Sequence, residues 1–508
     1  MEPTKRTSNY RRMMSSTAIF GGAQVMNVLI NIVRGKLVAV ILQASGLGVM
    51  SLLTNAANTL QQFALLGINI SAVRNVSQAN ENGNAETLAL TVRIVRALVL
   101  GASLLGLVLT LVFSPLMSQM SFDSLDYLPY FLLLSLAVFI NVMGTGEMAV
   151  MQGLRRYKRL AFCSIVPPAC GLLISIPIYY IWGVQGIVPA MILTGLIYYI
   201  AMRLNSYRDN RPRQQRQRLS FKAIWGQGQE IIQFGMIMTL GSILGTITTY
   251  ALTAFISNTG SIQDVGFYQA ANLITMQYIS LIFTAMATDF YPRLSSLVQQ
   301  RMSEARRFVN QQTEIVLLIV TPLSMLMILT APLLIMLLLT NEFQTISTIV
   351  RFMGLASIFK ALCFPMDYIA YAKGDKNYIL WVESVWGNVK TFTVISTFYI
   401  FMGLDGLGYG ALCSALIDVV VSLILTRWRY GFRLSADSVQ LLTMMLALSS
   451  ACFLAAFVPN VWVGYGIMSA TTLFCCVYSI RQIDRRMDLR SVWQRYKNRH
   501  HHEEEEKA

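Results

Sequence analysis

Gln24, Asn27, Asn31 and Arg34 lie three, four and three residues apart in QVMNVLINIVRGK, a spacing that places all four on one face of an α-helix. Side-chain amides donate and accept hydrogen bonds and so suit sugar hydroxyls, while a guanidinium presents a planar fork that matches phosphate bidentately. An anionic ligand carrying both phosphate and sugar would use the whole face. Lys36 leaves it and is expected to snorkel toward the end of its helix. Two further stripes follow: Asn55, Asn58, Gln62 and Asn69 in the next apolar run, and Thr239, Ser242, Thr246 and Thr249 in the seventh. Amides and hydroxyls in apolar helices also serve as packing glue; three aligned stripes point rather to the wall of a hydrated cavity.

A charge at the centre of a membrane helix costs about 2.5 to 3.5 kcal/mol, so such charges mark pairs or pathways. Beside Arg34 and Lys36 stand Lys360 and Lys390, with Arg351 nearer a helix end, and the acids Glu147, Asp367, Glu383 and Asp418. Lys360 and Asp367 share a helical face two turns apart, as do Glu383 and Lys390, so the C-terminal half can neutralise itself between helices. In the N-terminal half Glu147 is the one evident acid for two cations, which leaves a positive charge over. The expected ligand-binding set is Arg34, Lys36, Gln24, Asn27, Asn31, Asn55, Asn58, Gln62, Lys360 and Lys390. Glu147, Asp367, Asp418 and Glu383 are candidates for coupling to H+ or Na+; pairing with nearby Arg or Lys is the structural alternative for Glu147 and Asp367.

Membrane helices must carry these residues. The chain has 508 residues, 55% of them hydrophobic and 13% charged, with a mean hydropathy of +0.53; soluble proteins carry about 25% charged residues. Apolar runs of about 20 residues recur fourteen times between 15 and 481, the first two over 15–42 and 49–73, and leave no room for a soluble catalytic domain. The basic N-terminal start runs into an apolar segment too long for a signal peptide, so the first helix is expected to stay uncleaved. Lys and Arg crowd alternate loops, among them GLRRYKR, KGDK and RWRYGFR, whereas SFDSLDY, SNTGSIQDVG, TNEF and GLDG carry acids and no Lys or Arg. Basic loops stay on the cytoplasmic side, so both termini are expected there. The formal net charge of +15 follows from this bias and meets anionic headgroups, not nucleic acid. All seven cysteines fall in apolar runs as small hydrophobes, so neither disulfides, a metal centre nor a cofactor is expected. The tail HHHEEEEKA reads as a solvated low-complexity end.

The halves repeat one another. Phe20-Gly21, Gly48, Arg74, Gly153-Tyr157 and Gly183-Gly186 recur at Phe234-Gly235, Gly266, Arg293, Gly374-Tyr378 and Gly403-Gly406, with offsets of 214, 218, 219, 221 and 220 residues. A unit of six helices keeps its orientation, so the two copies are expected to face a cleft about an axis along the membrane normal. The organisation expected is a cytoplasmic tail over 1–14, an N-lobe of helices 1–6 over 15–205, a basic cytoplasmic linker over 206–228, a C-lobe of helices 7–12 over 229–428, helices 13 and 14 over 429–482, and a basic, low-complexity cytoplasmic tail over 483–508.

The stretch from Asn27 to Asn75, the DFYPRLSSL close of the eighth helix, and the paired WGVQGI and MGLDGL turns resemble the polysaccharide flippases of the multidrug/oligosaccharidyl-lipid/polysaccharide exporter superfamily. The resemblance covers essentially the whole chain and rests on the order of these segments, none of which is a catalytic signature. It implies an all-α polytopic fold of two six-helix bundles arranged as a V, with helices one, two, seven and eight lining a central cavity, plus two extra helices. It implies a bacterial cytoplasmic-membrane protein that moves a polyprenyl-diphosphate-linked oligosaccharide, such as an O-antigen, capsule or exopolysaccharide unit, to the outer leaflet by alternating access. Arg34 is the candidate diphosphate contact, with Lys36, Lys360 and Lys390 secondary. Function as a monomer is expected, with membrane lipids and a polysaccharide polymerase or glycosyltransferases as neighbours. The alternative within the superfamily is a multidrug/cation antiporter, which calls for an acid-rich, aromatic cavity and lacks helices thirteen and fourteen. A membrane glycosyltransferase or polymerase calls for a sizeable outer loop or a cluster of acidic and basic groups, and neither is present.

Overall fold

The computed structural model describes residues 3–81, 84–207 and 221–487, and their regular structure is helical throughout. The expected linker 206–228 and C-terminal tail 483–508 lie largely outside the described residues. In chain order the helices are α1 (Pro3–Leu65), α2 (Ile68–Glu81), α3 (Ala85–Phe122), α4 (Leu128–Gly153), α5 (Tyr157–Trp182), α6 (Ile187–Tyr207), α7 (Phe221–Thr259), α8 (Ile262–Gln300), α9 (Met302–Leu338), α10 (Ser347–Lys373), the short α11 (Lys376–Tyr378), a π-helical stretch over Ile379–Trp386, then α12 (Gly387–Met402), α13 (Gly406–Tyr430), α14 (Ala436–Ala455) and α15 (Val461–Met487).

Among the described residues ten helical segments are long and apolar enough to cross a membrane. The chain is a multi-pass membrane protein. Three of those segments run to 40, 50 and 55 residues, well beyond the roughly 20 that one crossing needs. Each contains a break. The first falls at Gln43, where φ is 58° and ψ −169°, so α1 is two helices meeting at a kink. The others are the 3-10 turns Gly183–Gly186 and Gly403–Asp405, the paired glycine turns singled out in the sequence. A non-glycine residue at positive φ costs on the order of 1 kcal/mol or more. Here it frees the next amide: Ala44 N–H donates to Glu342 Oε2 at 3.3 Å, and Gln263 Nε2 donates to Glu342 Oε1 at 3.1 Å. A carboxylate at the start of a helix is favoured by the helix dipole.

The helices carry an apolar outer face, and the middle of α3 shows how small and hydroxyl-bearing residues are buried behind it. On α3 the buried positions pass from the apolar Val92, Ile94, Val95 and Val99 to Ser103, Gly106, Thr110, Ser114 and Ser118, while Leu104, Val108 and Val112 on the outer face are about half exposed or more. Small residues let backbones approach, and each hydroxyl is satisfied locally, as with Thr110 Oγ1 donating to Gly106 O at 2.6 Å. Only hydrocarbon tolerates the leucine and valine face.

Two compact units can be distinguished. The first comprises Met1–Ala270, Leu337–Phe343 and Leu380–Phe392; the second comprises Ala271–Met336, Gln344–Ile379 and Thr393–Ala508. In the first, α3 packs on α4, α4 on α6, α1 on α5, and α7 on α1 and α3. Its core includes Leu52, Leu53, Phe131, Leu134 and Met151, all fully buried. In the second, α10 packs on α13 and α14 on α15, around Val316, Val320, Ile328, Ile349 and Ala361. Between α10 and α11, Asp375 accepts from Arg429 Nη2 at 2.8 Å and from the Tyr430 hydroxyl at 2.8 Å. Arg429 beside it, helped by that hydroxyl, holds the Asp375 carboxyl down at about 2.

Candidate functional site

In the first unit the second half of α1 runs antiparallel to α7. Gly67 meets Gly235 backbone to backbone, Thr59 Oγ1 donates to Thr246 O at 3.2 Å, Asn55 Nδ2 donates to Thr253 Oγ1 at 3.4 Å, and Gly48 meets Ile262. Residue numbers rise on one helix as they fall on the other. Asn55, expected on a hydrated wall, is thus spent on holding two helices together, whereas Thr246 lends only its backbone carbonyl and donates its hydroxyl to Ile243 O at 2.9 Å. Asn58 is exposed while Gln62 and Asn69 are half-buried, so the second stripe divides, with Asn55 packed and Asn58 open. Gln61, on another side of the helix, donates to Thr145 Oγ1 at 3.2 Å.

The repeat reappears in these contacts. A Cβ on Gly48 would overlap the carbonyl oxygen of Ile262, and a Cβ on Gly266 would overlap that of Ala44. Ile262 stands 218 residues after Ala44, as Gly266 does after Gly48. Ser51 Oγ and Gln269 Oε1, again 218 residues apart, are bonded to each other at 3.2 Å. One contact made twice with roles exchanged, around a pair of equivalent residues in mutual contact, is the mark of a local two-fold relation.

On the first half of α1, Asn31 Nδ2 donates to Asn27 Oδ1 at 3.3 Å, and both amides are half-buried. Arg34 is half-buried one turn on, and its Nε is buried with no hydrogen-bond partner. An unmet buried donor costs about 1 to 3 kcal/mol. The side chain of Gln24 lies outside the described residues. Lys36 has an assigned place: its Nζ donates to Leu337 O at 2.6 Å, in the last turn of α9, where a cation offsets the unpaired carbonyls.

Glu147 is 3% exposed and committed to two cations absent from the inventory above. Arg96 holds it through Nε at 3.0 Å and Nη2 at 2.9 Å, and Arg203 closes the other side. Arg96 also donates to Ser206 Oγ at 3.1 Å. Glu147 therefore serves neither Arg34 nor Lys36, which corrects the charge balance inferred for the N-terminal half. Arg96 was visible within TVRIVRALVLG, inside an apolar run; that it meets α4 and α6 was not. The repeat counterpart Asp367 accepts from Ser422 Oγ at 2.8 Å and Tyr378 Oη at 3.4 Å. In each half an acid on one helix thus bonds to the closing turns of the helix packed beside it, α6 or α13.

Lys390 is 4% exposed on α12, and Glu383 lies in the π-helical stretch that precedes it. Such stretches are frequent at functional sites. Here Asn388 Nδ2 donates to Ser384 O at 2.6 Å. Asp418 is half-buried on α13. In the second unit Phe283, Thr284, Ala287, Tyr291, Phe364 and Tyr368 line a cavity of about 400 Å3, with Phe283 and Phe364 stacked at 4.6 Å. Lys360 precedes Phe364 by one helical turn on the same face of α10. The first unit thus brings together Asn27, Asn31 and Arg34, and the second brings Lys360 and Asp367 onto one helix with the aromatic cavity.

The sequence profile of the polysaccharide biosynthesis protein family matches residues 37–348, more than half of the chain. The match opens one residue after Lys36, so the Gln24 to Lys36 face lies just outside it. The lipid III flippases of Escherichia coli (strain K12) and Shigella flexneri are each 25% identical over 369 residues, covering 72% of this chain and 85% of theirs. Two solved structures share the fold with a TM-score of 0.67. One is an inward-facing multidrug resistance MATE family transporter of the MOP superfamily, 14% identical over 82% of this chain and 98% of its own. The other is the lipid II flippase MurJ in an inward closed conformation, 11% identical over 93% of this chain and 99% of its own. These relatives are flippases and transporters rather than enzymes. The chain belongs to the polysaccharide biosynthesis protein family and shares its fold with a transporter of the MOP superfamily and with a lipid flippase.

Proposed function

We propose that the protein flips a polyprenyl-diphosphate-linked oligosaccharide repeat unit, for O-antigen, capsule or exopolysaccharide synthesis, from the inner to the outer leaflet of a bacterial cytoplasmic membrane. The observation that carries this reading is the Arg34 Nε, buried without a protein partner beside the Asn27 and Asn31 amides. A diphosphate would meet the guanidinium and sugar hydroxyls the amides. The names of the lipid III flippase relatives point to the same class of cargo.

The reading takes fourteen crossings: the ten apolar segments, of which the three over-long ones cross twice, and α8. An even count and basic alternate loops put both termini in the cytoplasm. The reciprocal Gly48 and Gly266 contacts support two repeats about a two-fold axis and lobes that rock in alternating access. Coupling to H+ or Na+, if used, is assigned to Asp367 before Glu147, because both oxygens of Glu147 already serve guanidiniums. No cofactor is required. The protein works as a monomer among membrane lipids and hands its product to a polymerase or glycosyltransferase.

One observation favours a second reading. The aromatic cavity of the second unit, with Asp367 on the same helix, has the character of a site for organic cations. Flipping of a fluorescent lipid-linked oligosaccharide in proteoliposomes separates the two. Arg34→Ala is expected to slow flipping roughly 10- to 100-fold, the worth of one charged hydrogen bond, with Arg34→Lys in between because an ammonium lacks the fork. Unchanged flipping by Arg34→Ala refutes the diphosphate role, and tighter binding of cationic dyes than of anionic lipids establishes the second reading.

A further inference from the structure

In the second unit, Arg306, Ile424, Arg427, Trp428, Gly431 and Arg433 line a cavity of about 780 Å3 where the start of α9 meets the turn between α13 and α14. We propose that this cavity binds the phosphate-bearing headgroup of an anionic membrane lipid. Three guanidiniums line it and no carboxylate does. Arg429, in the last turn of α13, is committed to the Asp375 carboxylate and is not among them.

Arg306 is set by its surroundings. Its Nε donates to Tyr430 O at 2.9 Å, and its guanidinium lies against Gly431, where a Cβ would stand 2.7 Å from Nη2. Gly431 has φ +62° and closes α13 through its N–H to Arg427 O at 3.0 Å. A glycine is therefore required there twice, for the backbone and for the arginine. Arg433 is fixed through its backbone. Asn310, one turn after Arg306, donates from Nδ2 to Arg306 O at 3.0 Å and to Arg433 O at 3.1 Å, and its Oδ1 accepts from Ser435 N–H at 2.8 Å. The Arg306 guanidinium and the Arg433 backbone are thus set before any ligand arrives.

The other wall is apolar. Ile424 and Trp428 are 60% and 80% exposed, and tryptophan favours the depth of lipid headgroups. A ligand matching both walls carries phosphate and hydrocarbon in one molecule, which a nucleotide or a free phosphate does not. Basic pockets between membrane helices are suited to such headgroups. The site lies in a different unit from Arg34, and its test requires no transport.

The test is native mass spectrometry of the full-length protein in neutral detergent, with phosphatidylglycerol, phosphatidylcholine or inorganic phosphate added. Phosphatidylglycerol is expected to stay bound and phosphatidylcholine to be lost. Each arginine near a headgroup is worth roughly fivefold in affinity, so R427Q/R433Q should weaken phosphatidylglycerol binding roughly 25-fold. Both side chains are exposed, so an unchanged melting temperature will show that the double variant still folds. R301Q, which removes an exposed arginine bonded to Glu304 outside the cavity, should leave binding within about twofold. Equal retention of phosphatidylglycerol by native protein and the double variant overturns the proposal. So does complete displacement of the lipid by equimolar inorganic phosphate, which would make the cavity a free-anion site, and so does an equal loss in R301Q, which would make the effect one of net charge.

Discussion

Replacing Glu147 with glutamine keeps its shape and removes its charge, leaving Arg96 and Arg203 facing a neutral amide. Breaking a fully buried ion pair costs about 3 to 5 kcal/mol. The Glu147 side chain is 3% exposed, but those of Arg96 and Arg203 are 22% and 37% exposed and recover part of their hydration. Discounting for that leaves roughly 2 kcal/mol, or a roughly 25-fold change in an opening equilibrium. A local reporter is built in. Cys163, 1% exposed, packs with Met151, Leu160 and Met202, one turn from Glu147 and beside Arg203 in sequence. With the other six cysteines replaced, the rate at which a thiol reagent labels Cys163 reads the local opening free energy. Glu147→Gln is expected to speed labelling roughly 25-fold while the response of flipping to a pH gradient persists. Labelling within threefold of the parent would refute a structural role for the bridge, and a lost pH response would return Glu147 to ion coupling.

Other expectations follow from single contacts. Gly266→Ala sets a Cβ into the carbonyl oxygen of Ala44 and should cost about 1 to 3 kcal/mol by overpacking; oxidative crosslinking of Ser51→Cys with Gln269→Cys, efficient in the parent, should fall sharply, and undiminished crosslinking would show that the backbones need not touch. Lys36→Met loses only the bond to Leu337 O, so flipping should stay within about threefold of the parent, whereas a defect equal to that of Arg34→Ala would merge the two cations into one site. Asp375 is held down at about 2, below its unfolded value near 4. The stabilisation is therefore present above pH 4 and disappears as pH falls through 2, and is worth roughly 1 to 2 kcal/mol after allowing for the partly exposed Arg429. Asp375→Asn should lower the melting temperature at pH 7 and much less at pH 2; an equal loss at both would place its effect elsewhere.

The sequence alone determined the solvent of this protein and its repeat. Hydropathy and charge must follow the bilayer all along the chain, so the apolar runs and the glycine turns at Gly183 and Gly403 were legible, although the expected second span 49–73 runs across the break between α1 and α2. Ser51 and Gln269, equivalent at the same offset of 218 residues, are in contact, which the repeat alone did not announce. What sequence could not settle is which polar residues remain available. Asn55 and Asn58 share a helix and a residue type, yet Asn55 is spent on Thr253 while Asn58 stays exposed. Glu147 looked like a partner for Arg34 until Arg96 and Arg203 arrived from α3 and α6. Helical periodicity fixes the face of a side chain, but its partner comes from another helix, distant in sequence, and only packing decides between bond and cavity. Packing is likewise what leaves the Arg34 Nε buried without a partner and holds Arg306 on Tyr430 O beside Gly431.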